Sequence, residues 1–170
     1  MNTDNISSEK STVIKKIQTW LDEENISIRD IEDEYSDFHI VAKISPVHDI
    51  DLVIRKDRID SIIVVQNMNL SDEDKRTFAH LAKAKKLEFV RDLKLSLLHL
   101  GIDYAIQPDS ERLEYVQMSR KIYFDGLTKD RFFDTIFHVQ RAMEIMRLKY
   151  ETHLYHGTSD KSYLNSLFIL

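Results

Sequence analysis

The segment from Thr128 to His156 reads as one long helix with apolar residues on two sides. Phe132, Ile136, Val139, Met143, Met146 and Tyr150 recur at alternating spacings of four and three, which is one side of a 3.6-residue helix. Phe137 and Leu148 fall at nearly the same helical angle, with Ile145 beside them, and point away from that stripe. Covering a sheet uses one apolar side. The second side needs a partner, the first helix of the same chain or its C-terminal tail. Phe137, Ile145 and Leu148 are therefore the candidate interface residues.

The rest of the chain supplies the sheet. With 170 residues, 42% hydrophobic and 31% charged, it is long and apolar enough for one globular core. We expect a single domain over residues 1–156 and a tail over 157–170. Only 3 Gly and 2 Pro occur, which favours long elements joined by short turns over Gly-rich phosphate loops. The absence of Cys excludes disulfides, thiolate metal sites and cysteine nucleophiles. Met1–Ser8 is polar, without the apolar core of a signal peptide, and no apolar run is long enough to span a bilayer. A cytoplasmic protein with no membrane partner is the expectation.

Val13, Ile14, Ile17, Trp20 and Leu21 give a core-facing stripe on a first helix from about Glu9 to Glu24, with Ser8 as its cap. The period then changes to two. Ile26, Ile28 and Ile31 mark a weak strand. Phe38, Ile40, Ala42 and Ile44 alternate with His39, Val41 and Lys43, and Ser45-Pro46 follows as a turn. Ile50, Leu52 and Ile54 alternate with Asp49, Asp51 and Arg55. The β-branched run Ile62–Val65 predicts a strand covered on both faces. Ser71 with Asp74 opens a second helix, one piece or two broken near Lys85-Lys86, ending at Gly101. Tyr104–Gln107 is a short strand. Leu113–Phe124 is a longer one with Val116, Met118, Ile122 and Phe124 on one face. Asp125-Gly126 turns the chain and Thr128 caps the last helix. The order α-β(3–4)-α-β-β-α predicts an α+β fold, an antiparallel sheet of five or six strands with helices packed on it.

The order of elements, and the stretch Arg120-Lys121-Ile122-Tyr123-Phe124-Asp125-Gly126-Leu127-Thr128-Lys129-Asp130-Arg131-Phe132, resembles a small, mostly archaeal family of uncharacterised proteins, domain of unknown function 2299. The similarity runs from about Ser11 to Tyr155. The order is also similar to the type III secretion chaperone and YbjN-like fold. That resemblance implies an α+β domain, commonly a dimer, that binds proteins without catalysing a reaction. It supplies no catalytic residue.

Charge and candidate chemistry point the same way. The net charge is −5. Acids crowd Asp22, Glu23, Glu24, Asp30, Glu32, Asp33, Glu34 and Asp37, a solvated helix end and edge strand, or an acidic docking surface or divalent-ion patch. Lys83, Lys85, Lys86, Arg91 and Lys94 form a basic cluster on a helix, but the chain as a whole repels phosphate, so nucleic-acid binding is the weakest reading. His48, Asp49 and Asp51 start a strand where two carboxylates share a face and could hold a cation or exchange protons. Solvent-facing positions of a half-buried strand look the same. His153 and His156, beside Glu151, have metal-ligand spacing without a third ligand. His80, His99 and His138 sit beside apolar helix positions, as boundary histidines do. No nucleophile elbow, phosphate loop or zinc motif is present. We therefore expect no enzyme, catalytic residue, metal or cofactor, and a chaperone- or adaptor-like protein-binding module that forms a homodimer. The alternative is a small-ligand binder or an enzyme without a linear motif.

Overall fold

Alternation along the strands builds a sheet with one buried face. The computed structural model describes residues 3–46, 48–58, 60–108 and 112–155. The elements run α1 (Thr3–Glu23), β1 (Ser27–Asp30), β2 (Ser36–Ser45), β3 (His48–Arg55), β4 (Ser61–Asn69), α2 (Asp72–His80), α3 (Lys83–His99), β5 (Asp103–Pro108), β6 (Leu113–Tyr123) and α4 (Lys129–Tyr155). The six strands are antiparallel to their neighbours in the order β1-β2-β3-β4-β6-β5. This is the α+β architecture the element order predicts.

Phe38, Ile40, Ala42, Ile50, Leu52, Ile54, Ile62, Val64, Val116, Met118 and Ile122 are buried on one side of the sheet. Val13, Ile17 and Leu21 of α1, Phe89, Leu93 and Leu97 of α3, and Phe132, Ile136, Val139 and Met146 of α4 join them in one core. Trp20 and Met143, expected in the core, are half-buried and pack against it. The Trp20 ring lies 5.7 Å from that of Phe132. The expectation that β4 is covered on both faces does not hold. Ile62 and Val64 are buried, whereas Ile63 and Val65, like Val41 and Val53 of the neighbouring strands, are only half-buried. Their burial comes from lying amid neighbouring strands.

Local chemistry sets the element ends. Asn25 takes a left-handed conformation (φ 56°) just past α1, where Ile26 N–H donates to the Leu21 carbonyl. α1 begins before the expected Glu9, so Ser8 lies inside the helix, where its carbonyl accepts from the Thr12 hydroxyl. Ser71 and Asp74 form a full capping box. The break between α2 and α3 falls at Leu81-Ala82, both extended, rather than near Lys85-Lys86. Gly101 (φ 63°) closes α3, with Ile102 N–H donating to Leu97. Thr128 Oγ1 accepts from Arg131 N–H at 3.2 Å and caps α4.

Two contacts fix α1. Lys129, at the start of α4, bonds Glu23 at 2.8 Å and Glu24 at 2.7 Å; these carboxylates, Glu23 first, raise its pKa. Buried Lys10 pairs with Asp37 of β2. The acid-rich stretch thus runs from the end of α1 through the edge strand β1 and the loop after it to the start of β2, and several of its carboxylates are engaged within the chain.

Ile136 is fully buried and Met143 is not. Ile136→Ala should therefore cost about 2–5 kcal/mol and Met143→Ala distinctly less. Urea unfolding of the two variants, compared at equal slope, checks this ordering.

Candidate functional site

The two-sided character of α4 is observed. Phe132, Ile136, Val139, Met146 and Tyr150 face the core, while Phe137 is 51% and Leu148 59% exposed. Ile145 is half-buried between them. α1 meets the start of α4 through Trp20 and Lys129, and Phe137 and Leu148 are left exposed. The tail 157–170 lies outside the described residues. Between the two exposed side chains stand Arg141 and Glu144, both exposed. Glu144 Oε1 is 3.5 Å from His48 Nε2.

A second exposed stripe escaped the sequence reading. Leu87, Leu95 and Leu98 of α3 are exposed, with Arg91 and Lys94 among them. Their spacing matches that of Phe137, Ile145 and Leu148, and it was available in the sequence. Leu93 and Leu97 of the same helix face the core. The basic cluster shares this helix, and part of it is engaged within the chain. Lys85 pairs with Glu88, Lys86 donates to the Ala79 carbonyl and lies 5.6 Å from the Phe78 ring centre, and leucines separate the rest.

His48, Asp49 and Asp51 do not converge. Asp51 accepts from His39 Nε2 at 3.0 Å on the bare sheet face. His48 Nδ1 lies 3.1 Å from Ser45 Oγ, and its Nε2 faces Glu144. Among the described residues no group of three or more His, Asp or Glu is placed to hold a metal ion. His153 Nε2 lies 3.5 Å from Asp92, and its ring meets Phe89 edge-on at 5.5 Å. His156 is outside the described residues. His99 and His138 donate through Nδ1 to the Leu95 and Asp134 carbonyls. No helix among the described residues is long and apolar enough to cross a membrane.

The comparisons with known proteins fit this geometry. The model of the uncharacterised conserved proteins DUF2299 matches residues 13–149, and the chain belongs to that family. An uncharacterised protein from Methanothermobacter thermautotrophicus is 28% identical, with a TM-score of 0.76. That match covers 82% of this chain and 97% of the other. YbjN from E. coli aligns over 84% of this chain and 93% of its own, at 13% identity and a TM-score of 0.47. No curated protein matches.

One ionisable group on the bare face carries a directional pH effect. The Asp33 carboxylate accepts from the Ser36 hydroxyl at 2.6 Å and from Tyr35 N–H at 2.9 Å, and His39 Nδ1 lies 3.3 Å away. The Ser36 bond first, then Tyr35, hold its pKa below the ordinary 3.8 against a smaller opposing desolvation; His39 adds to the lowering. A lowered folded value means the ionised form favours folding. That contribution is complete above the unfolded value and is lost as pH falls through the folded one. Asp33→Asn should therefore lower stability by a constant amount above about pH 5, and the gap to wild type should close below about pH 4. Thermal unfolding of both proteins across that range checks it.

Proposed function

We propose that the protein is a non-enzymatic, cytoplasmic protein-binding module of chaperone- or adaptor-like kind, joined into a homodimer through the outer face of α4. The observation that carries this reading is the order Phe137, Arg141, Glu144, Leu148 on that exposed face. The order is complementary to itself when reversed. A two-fold axis at the level between Ala142 and Met143 sets Phe137 of one copy against Leu148 of the other. The same axis sets Arg141 against Glu144. The apolar pair supplies burial, roughly 1.5–3 kcal/mol for each large side chain fully removed from water. The charged pair selects the antiparallel register more than it adds affinity. A parallel pairing would place like charges together.

Light scattering on the full chain tests it. Wild type should run at twice the 20.1 kDa chain mass, and Leu148→Asp at the monomer mass. Arg141→Glu alone should weaken association, and Arg141→Glu with Glu144→Arg should restore it. Ile145→Asp should also dissociate the pair. A wild type that stays monomeric at micromolar concentration would remove this reading. A dimer indifferent to both charge reversals would place the contact elsewhere.

A further inference from the structure

α3 is apolar on both sides. Phe89, Val90, Leu93 and Leu97 are buried in the core. On the outer side Leu87, Leu95 and Leu98 are 51%, 48% and 61% exposed. Leu87, Arg91, Lys94 and Leu98 follow one another at spacings of four, three and four, the seam along which one helix packs on another. Leu95 borders that seam. The stripe spans about 16 Å of helix at 1.5 Å per residue. Single exposed leucines are ordinary, but three gathered on one helix face mark a contact surface.

The middle of the seam is positively charged. Lys94 is exposed and has no ion-pair partner among the described residues. Arg91 is exposed as well. A carboxylate, Asp92, lies 3.9 Å from its Nε, at the outer limit of an ion pair, and also faces His153 at 3.5 Å. Lys83 stands one turn before Leu87 on the same side. Glu88, at the margin of the stripe, is paired with Lys85 at 3.1 Å. The face therefore offers leucines at its ends and cations at its centre.

That order rejects a second copy of the chain. Reversed on itself, the seam sets Leu87 against Leu98 but Arg91 against Lys94, cation to cation. The α4 face of another copy fits no better, because either direction sets one of the two cations against Arg141. An anionic bilayer also fits poorly. A helix lying in a membrane surface keeps its deepest line apolar and its cations on the polar side. Here Arg91 and Lys94 share the line of Leu87 and Leu98, and the net charge of −5 opposes approach.

We infer that the outer face of α3 docks an acidic amphipathic helix of a partner protein. The seam of that helix carries a large apolar residue at each end and two carboxylates between them. Its apolar ends cover Leu87 and Leu98, and its flank covers Leu95. One carboxylate accepts two parallel N–H bonds from the Arg91 guanidinium, and the other accepts from the Lys94 ammonium. The inference uses none of the side chains of the α4 face, so it stands whether or not the dimer forms.

Fluorescence anisotropy on the full chain tests it. The probe is a labelled peptide of about 25 residues, long enough to hold a helix. It carries Leu, Glu, Glu and Leu at the seam spacings, with Ala and Gln elsewhere. A matched peptide has Lys in place of both Glu. The acidic peptide should bind wild type saturably below about 0.5 mM, and the basic one at least about tenfold more weakly. Arg91→Glu with Lys94→Glu should reverse that preference. Leu87→Ser with Leu98→Ser should abolish binding of the acidic peptide. All four side chains are exposed, so the melting temperature should stay near that of wild type. The mass by light scattering should be unchanged in both variants, which separates this face from that of α4. No saturable binding up to about 0.5 mM would overturn the inference. So would equal binding of the two peptides, a preference that survives charge reversal, or a loss of self-association in the α3 variants. Sedimentation of wild type with phosphatidylglycerol vesicles, lost in the same variants, would give the face to a bilayer and overturn it too.

Discussion

The pairing of β4 with β6 holds the two halves of this chain together. It runs from Ser61↔Tyr123 to Asn69↔Tyr115 and closes a long excursion through α2, α3 and β5. Closing such a loop costs chain entropy before any contact repays it. The return lies in the core-facing sides of both strands, with Ile62, Val64, Val116, Met118 and Ile122 buried beneath α4. On one side of this joint lies the β1–β4 meander; on the other, β5 pairs with β6 from Asp103 to Pro108. β4 stays paired with β6 to Asn69 while its ladder with β3 ends at Val65. A cleft of about 310 Å3, lined in part by Gln66 and Met143, opens where β3 and β4 part.

Much of this was readable from residue order because alternation and helical spacing are local. The strands β2, β3 and β6, the cap at Ser71, the stop at Gly101 and both sides of α4 all follow from neighbours a few positions apart. The misreadings share a cause. Leu81-Ala82 carries no Gly or Pro, so nothing local announces the break. Ile63 and Val65 satisfy strand preference whether or not anything covers them, so a β-branched run could not reveal a bare face. The cleft depends on where one ladder ends, which is a property of three strands at once. Its one local signal is Gln66, a polar residue standing where the period-two pattern after Ile62 and Val64 calls for an apolar one.

Layering also explains how the cleft and the proposed association face coexist. α4 turns Ile136, Val139 and Met146 to the sheet and Phe137 and Leu148 to solvent, while Met143 at mid-helix reaches the cleft. One helix thus lines the cleft and carries the proposed association face. His48 and Glu144 stand between them.

The ends of the sheet carry a further consequence. β1 is four residues long and wholly exposed, with Arg29 and Asp30 along it, and β5 ends at Pro108, which has no N–H to donate. Exposed strand edges are templates for runaway fibre growth, and short, charged or proline-ended edges resist it. This sheet is blunted at both ends. Copies of the chain therefore have little means of growing by strand addition, and any self-association is steered towards side-chain surfaces, where it can stop at a closed number.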